Sequence, residues 1–339
     1  MRKLRVAVLM HDYLVPPDDV SGHDLMAVPW KTEYDVLTTL REMGHNVRPV
    51  GIKDDLTVIR RAVEEFKPHI AFNMMENFHE IGAFDHNIVS YLELLRVPYT
   101  GCNPRGLMLA RDKALSKTLL AYHRIPATEF AVVRVGRKPR RPKRLAFPLI
   151  VKSLTQEASI GISQASVVHD DEKMRERVEF IHSSVGTDAI IERYIEGREL
   201  YVGILGNQRL RVFPVWELHF TKMPDDVHRI ATERVKWSVK YQRKYGIKTQ
   251  AAKLPDDVAA GIQRLCKRVY RTLDLSGYAR IDLRMDAGGR VFVMEANPNP
   301  QLAYGEDFAE SAERAGMDYD ALLQQILLAG LRWRPERLG

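Results

Sequence analysis

The sequence predicts a mixed α/β protein in which a small parallel unit precedes two α+β regions. Three observations carry this reading. Strand-like and helix-like stretches alternate up to about residue 103, short apolar runs broken by glycine turns follow the segment around Glu192, and Arg280 to Pro300 doubles back on itself. Alternating strand and helix builds a parallel sheet, whereas runs joined by short turns build antiparallel ones.

Composition narrows the class. A chain of 339 residues, 45% hydrophobic and 28% charged, is an ordinary globular protein with room for about two or three domains. No apolar run approaches the ~18 residues of a membrane span. The start, M-R-K-L-R-V-A-V-L-M, runs into His11-Asp12 without a small-residue cleavage site, which predicts a buried first strand instead of a signal peptide. Cys102 and Cys266 stand far apart without metal spacing, against disulfides or zinc and in keeping with a reducing cytoplasm. The net charge of +7 suits an anionic ligand. Much of the excess lies in Arg134 to Arg144, a basic run with prolines and no interleaved aromatics, read as a solvated connecting loop in preference to a nucleic-acid contact.

In order along the chain, Val6 to Met10 reads as a buried strand. The following H-D-Y-L-V-P-P-D-D lacks the G-x-G-x-x-G of a dinucleotide turn, which argues against a nicotinamide enzyme. Tyr34, Val36, Leu37, Leu40 and Met43 recur at helical spacing, predicting a helix over Thr32 to Met43 ended by Gly44. A strand over Val47 to Ile52, a helix over Asp54 to Phe66, a strand over Ile70 to Met74 and a helix over Asp85 to Leu95 complete the parallel unit. The loop N-M-M-E-N-F-H-E follows a parallel strand, where open α/β sheets bind ligands. Asn73, Glu76, Asn77 and His79 are therefore substrate-binding candidates, and a capped turn before the next helix explains the same residues equally well.

From Pro104 a single helix is expected, with Lys113 and Lys117 on neighbouring turns at a spacing usual for solvated lysines. Glu129 to Val135 reads as a strand. F-P-L-I-V-K then places Lys152 at the end of a strongly apolar strand, before a polar turn whose Gly161 suits phosphate binding by backbone N–H groups. A helix over Asp171 to Ser183 leads to strands at Ala189 to Ile191, Arg198 to Ile204 and Arg209 to Trp216. Pro224 to Thr249 reads as a long mobile loop with some helix, and helices follow at Asp256 to Leu273, Phe308 to Ala315 and Tyr319 to Leu331.

The hairpin organises the rest. Asp286 to Gly289 forms a tight turn between apolar runs, so Arg280 and Asp282 ride on the first strand, and Glu295 and Asn297 stand where the second runs out into Pro298 and Pro300, Asn297 just past its end. Antiparallel pairing sets Asp282 beside Glu295. Two carboxylates and an amide oxygen are hard ligands suited to Mg²⁺ shared with nucleotide phosphates, and a surface hairpin with solvated charges is the plainer alternative. Ile281, Leu283, Val291, Val293 and Met294 favour the former by placing the acids at a core edge.

Taken together, Lys113 in R-D-K, Lys152 in I-V-K, Glu192 in I-E-R-Y-I, Glu199 in G-R-E-L, then R-I-D-L-R and M-E-A-N-P resemble the ATP-grasp ligases, and among them the D-alanine–D-alanine ligases. P-Y-T-G at Pro98 and A-G-M-D-Y-D-A-L at Ala315 extend the resemblance over nearly the whole chain. It implies an ATP-grasp fold: a pre-ATP-grasp α/β domain over residues 1–103, a central subdomain over 104–187 and a C-terminal subdomain over 188–335, the last two clasping ATP. It also implies that Lys113 and Lys152 bind ATP phosphates under a loop of Ser159, Ile160 and Gly161. Glu192 would accept from the adenine amino group, Tyr194 and Ile195 would flank the base by their backbone, and Glu199 would hold the ribose. Asp282, Glu295 and Asn297 would hold two Mg²⁺ ions, a set that Mn²⁺ also fits, with Arg280 on the transferred phosphoryl group and Lys240 as a lid lysine. A homodimer is the family's habit.

The departures fall on the amino-acid side. Where the family carries a glycine-rich segment with a serine and a glutamate, this chain has H-D-Y-L-V-P-P; its histidine–glycine segment is replaced by N-M-M-E-N, and Ser-Pro-Gly-Met by Pro298 to Leu302. The expectation is an ADP-forming carboxylate–amine ligase acting on small amino-acid or peptide substrates other than two D-alanines. A D-alanine–D-alanine ligase with a divergent pocket and a non-catalytic ATP-binding protein are the alternatives.

Overall fold

In the computed structural model, residues 3–156, 159–224 and 227–335 are described. The first unit contains β1 (Arg5–His11), α1 (Lys31–Glu42), β2 (Asn46–Ile52), α2 (Thr57–Phe66), β3 (Ile70–Asn73) and α3 (Asp85–Leu94). Its strands are parallel in the order β2-β1-β3. The chain leaves β1 to one side for β2 and returns on the other for β3, so the carboxyl end of β1, at His11, is a topological switch point. Alternation along the strands sends Val6, Val8, Ile70 and Phe72 into one core and Ala7, Leu9 and Ala71 into another.

Next come α4 (Pro104–Arg111) and α5 (Lys113–Tyr122), where one continuous helix is expected from the sequence. Asp112 breaks it: its backbone is extended, and its side chain accepts from the N–H groups of Ala114 and Leu115. The break sets Lys113 at the start of a helix. The spacing of Lys113 and Lys117 suggests solvated side chains, but both are buried, Lys117 to 1% exposure. The central sheet contains β4 (Phe130–Val133), β5 (Leu149–Ser153), β6 (Val167–Val168) and β7 (Ala189–Arg193), antiparallel in the order β4-β7-β5-β6. Between β6 and β7 lies α6 (Asp171–Phe180), which widens into a π turn over Ile181–Val185 before Gly186. The basic run ahead of β5 is largely exposed, as expected, with Arg141 tied to Asp171 at 2.9 Å.

The largest sheet is built from β8 (Arg198–Leu205), β9 (Arg211–Val212), β10 (Trp216–Phe220), β11 (Ile247–Ala251), β12 (Tyr278–Met285) and β13 (Val291–Pro298). Its order is β11-β10-β8-β12-β13, with β9 also on β8. One strand is expected over Arg209 to Trp216; Pro214, which has no N–H to donate, divides it into β9 and β10. The helix expected within the 224–249 loop is present as α7 (Glu233–Trp237), capped by Thr232, and α8 (Val239–Tyr245), capped by Ser238, and the end of the segment, expected as loop, joins the sheet as β11; Asp225 and Asp226 lie outside the described residues. Three helices complete the chain: α9 (Asp256–Thr272), α10 (Asp307–Arg314) and α11 (Tyr319–Arg332).

Cores cross the expected domain boundaries. Leu323, Ile326 and Leu327 of α11 pack with Val6, Val8, Ile70 and Phe72 of the first sheet, and Leu107 and Leu120 of α4 and α5 join Cys266, Val269 and Ile281. Cys102 and Cys266 are free and buried. No helix among the described residues is long and apolar enough to cross a membrane.

One contact fastens the exit of the hairpin to the first unit. The side-chain Oδ1 of Asn299 accepts from the Cys102 N–H at 2.8 Å, and Gly101, at φ +91°, passes so close that a Cβ there would lie 2.4 Å from that oxygen. Gly101→Ala should therefore destabilise the protein by about 2–4 kcal/mol, through the left-handed backbone and the lost contact. Urea denaturation measures this, and an unchanged midpoint would contradict it.

Candidate active site

Asp282 pairs with Glu295, as the sequence predicts; β13 runs on through Asn297, expected just past the strand end, so that Asn297 pairs with Arg280, and a bulge after Asp282 shifts the remainder of the ladder. Ile281, Leu283 and Val293 are buried behind them, while Val291 and Met294 are only partly so. Arg280 forks onto Asp282, Nε to Oδ1 at 2.7 Å and Nη2 to Oδ2 at 2.9 Å, and its guanidinium lies 4.7 Å from the centre of the Tyr201 ring. Glu295 is answered by cations from other elements. Lys113 Nζ stands 3.7 Å from its Oε2. Burial alone would raise the Glu295 carboxyl, but Lys113, Lys236, Lys152 and Arg280 together hold it down at about 2.

Behind this pair is a buried ion cluster. Glu192, fully buried on β7, has Lys117 Nζ 3.4 Å from Oε2 and Lys152 Nζ 3.3 Å from Oε1. Thr128 Oγ1 donates to Oε2 at 2.9 Å. Burial pushes the Glu192 carboxyl up, and the Lys117 and Lys152 charges outweigh it and keep it ionised. Oε1, on the residue expected to meet an adenine amino group, is buried against the Lys152 ammonium. Lys117 also donates to Thr128 Oγ1 and to the Met294 carbonyl, each at 2.9 Å, tying α5 to the β12–β13 hairpin. Nothing in the sequence pattern gives Lys117 a role; its burial comes from the approach of β7 and β13, which lie far away in the chain.

Other expected positions have specific partners. Glu199 accepts from the Tyr201 hydroxyl at 2.9 Å and from Arg284 Nη1 at 3.2 Å. Arg284, buried and passed over in the sequence, also donates to the Gly197 and Arg229 carbonyls. Tyr194 and Ile195 are buried, and the Tyr194 N–H donates to the Pro148 carbonyl. In the glycine loop, Ser159 Oγ donates to the Ala231 carbonyl at 2.7 Å, and the Glu233 N–H donates to the Ile162 carbonyl at 3.1 Å. Gly161, at φ +70°, offers its carbonyl to Arg177, and Ile160 is exposed. Glu157 and Ala158 of this loop are outside the described residues. The loop of Ser159 to Ile162 is thus bonded to the stretch of Ala231 to Glu233. Lys240 is exposed on α8, whereas Lys236 on α7 is the lysine whose charge reaches Asp282 and Glu295.

The third-strand loop divides. Asn73 is a capped turn: its Oδ1 accepts from the Met75 N–H and its own N–H donates to Thr100 Oγ1. Asn77 has a buried Oδ1 with no hydrogen-bond partner, Glu76 is exposed, and His79 is exposed with its ring on Phe78.

Asp282, Glu295 and Asn297 fit a hard divalent cation. The two carboxylates are adjacent in register, Glu295 is held ionised, and one terminal atom of the Asn297 carboxamide is buried without a partner; rotation of the amide would present its oxygen there. Among the described residues no three His, Cys, Asp or Glu side chains gather as a metal cluster, so phosphate or water oxygens must complete the shell.

A parallel three-stranded unit, two antiparallel sheets and lysines converging on a carboxylate hairpin define an ATP-grasp ligase. A family model described as the D-ala D-ala ligase C-terminus matches residues 119–328. The chain belongs to the D-alanine–D-alanine ligase family, enzymes that form carbon–nitrogen bonds and release ADP. It is 31% identical over 302 residues to the uncharacterised protein y4sG of Sinorhizobium fredii, covering 86% of this chain and 85% of that one. It is also 31% identical over 250 residues to a D-alanine–D-alanine ligase of Bordetella petrii, covering 72% and 71%. The fold matches that of the Bacillus anthracis D-alanine–D-alanine ligase complexed with ATP at a TM-score of 0.75 and 21% identity, over 97% of this chain and 98% of that one.

Proposed function

We propose that the chain activates a small carboxylate as its acyl phosphate, using ATP, and joins it to an amine, with substrates other than a pair of D-alanines. The observation that carries this is the convergence of Lys113, Lys152, Lys236 and Arg280 on the ionised Glu295 beside Asp282. A carboxylate is a poor electrophile, and transfer of a phosphoryl group onto it demands positive charge around three phosphate oxygens. Lys113 and Lys152 serve the phosphates, Ser159 to Gly161 cover them, and Arg280 neutralises charge on the transferred group. Glu192, Tyr194 and Ile195 receive the adenine and Glu199 the ribose. Mg²⁺, held by Asp282, Glu295 and Asn297, supplies further charge neutralisation when bound.

Residues 227–249 cover the nucleotide and exclude the water that would hydrolyse an acyl phosphate, with Lys236 on the inner helix and Lys240 farther out. The division at residues 103 and 187, a homodimer and a cytoplasmic location are part of this proposal. Replacement of the family's substrate-side segments by His11 to Pro17 and Asn73 to Asn77 supports substrates other than two D-alanines. Phosphate release from Mg²⁺-ATP against D- and L-amino acids and dipeptides, with products followed by mass, tests this. Release with a new pair is expected; release only with D-alanine, yielding its dipeptide, would contradict the substrate assignment.

A further inference from the structure

Two histidines meet where the central sheet adjoins the stretch ahead of α7, and phosphoryl transfer uses neither. His169 follows β6 and precedes Asp170, the cap of α6; His228 lies upstream of Thr232, the cap of α7. Their Nε2 atoms stand 3.5 Å apart, with ring centres separated by 5.6 Å and ring planes inclined at 22°. They are 59 residues apart in the chain, so the pair exists only through the fold.

His228 is held in place by its neighbours. The Gln164 carboxamide clamps its backbone, Nε2 donating to the His228 carbonyl at 2.9 Å and Oε1 accepting from the His228 N–H at 3.0 Å. Two residues on, Ile230 is buried in a small core with Ile150, Val167 and Tyr194. The Tyr194 ring meets the His228 imidazole edge-on at 5.3 Å. Burial first, and then His169, hold His228 below the ordinary histidine range, with smaller opposing pulls from Glu196 and Arg284, so its ring is neutral near pH 7. His169 is exposed, so ions in solution reach the pair.

The spacing separates two uses of such a pair. A hydrogen bond from a nitrogen donor closes to about 2.7–3.2 Å, so 3.5 Å is long for one. Zn²⁺ binds imidazole nitrogen at about 2.0–2.1 Å, and two such bonds at a tetrahedral angle leave their nitrogens about 3.4 Å apart. The observed separation matches the second.

We propose that His169 and His228 together bind one transition-metal dication of the Zn²⁺ class, and that the ion pins residues 227–230 to the central sheet. Each Nε2 supplies a lone pair, with Nδ1 carrying the proton in both rings. Among the described residues no three His, Cys, Asp or Glu side chains gather as a cluster, so water oxygens fill the remaining positions. Imidazole suits Zn²⁺, Ni²⁺ or Cu²⁺ and not Mg²⁺, which separates this site from the oxygen ligands of Asp282, Glu295 and Asn297. Gln164 and Ile230 already order the His228 backbone, so part of the ordering cost is met before the ion arrives. The stretch leads into α7, which carries Lys236, and packs on Tyr194, expected beside the adenine. Pinning it slows departure of the nucleotide; that consequence rests on the ligase function proposed above, and metal binding does not.

The test is isothermal titration of the full chain with Zn²⁺ in excess Mg²⁺, which occupies the hairpin carboxylates, for wild type, His169→Ala, His228→Ala and the double variant. Circular dichroism checks that each variant is folded. Wild type should take up one Zn²⁺ that both single variants lack, and the double variant should lose no more than either, since one ion needs both nitrogens. Equal uptake by wild type and His169→Ala, loss in only one of the single variants, or no uptake by wild type below about 1 mM Zn²⁺ would each overturn the site. Release of a fluorescent ADP analogue is the second readout. Zn²⁺ should slow it about fivefold in wild type and leave His169→Ala unchanged. Release from wild type that ignores Zn²⁺ would overturn the pinning. A chain that binds no nucleotide at all would count against the ligase function, while the Zn²⁺ titration still decides the histidines.

Discussion

Glu295→Gln is expected to lower turnover by about 10³-fold while ATP binding measured without Mg²⁺ is retained. The reason lies in the charge layout. Four cations, Lys113, Lys236, Lys152 and Arg280, hold the Glu295 carboxyl ionised, and its register partner Asp282 is already engaged by Arg280. Glutamine keeps the shape and removes the one charge on which those groups converge, so lysines and metal lose their common partner. Isothermal titration with nucleotide and single-turnover phosphate release separate the two effects. Turnover within threefold of wild type would remove Glu295 from the catalytic centre.

The second large effect is on stability. Lys117→Met should cost about 3–5 kcal/mol, because it leaves Glu192 fully buried with one of its two cations gone. Lys117 is itself held below the usual lysine range, first by burial and then by Lys152, against the opposing pull of Glu192. It stays useful as a cation because Thr128 Oγ1, the Met294 carbonyl and Glu192 Oε2 surround it. The double variant Lys117→Met/Glu192→Gln should recover part of the loss, since the stranded charge is then absent. Chemical denaturation of the three proteins decides this; a single Lys117→Met variant as stable as wild type would contradict it.

Local patterns in the sequence reveal the elements that are self-contained. The hairpin from Tyr278 to Pro298 is legible because its turn, its apolar alternation and the placement of Asp282 and Glu295 all follow from adjacent residues. The parallel unit is legible for the same reason, to within a few residues at each end. What escapes is set by distant contacts. Lys113 and Lys117 have the spacing of solvated lysines, and distant elements bury them: β13 and the Gln156 carbonyl after β5 meet Lys113, and β7 and β13 meet Lys117. The break at Asp112 is a cap inside a run of good helix formers, a weak signal next to the apolar pattern around it. Residues 224–249 are rich in charge and read as loop with some helix; the positions of the two short helices, capped by Thr232 and Ser238, follow from an apolar side that rests on Tyr201 and Trp216.

Transfer of ¹⁸O from a labelled substrate carboxylate would decide whether the reaction passes through an acyl phosphate. With the amine present, one ¹⁸O atom should appear in each released phosphate, because the carboxylate oxygen that attacks ATP leaves with the phosphoryl group when the amine displaces it. Phosphate free of label, formed at the same rate as the amide product, would contradict activation of the carboxylate and with it the role assigned to Lys113, Lys152, Arg280 and Glu295.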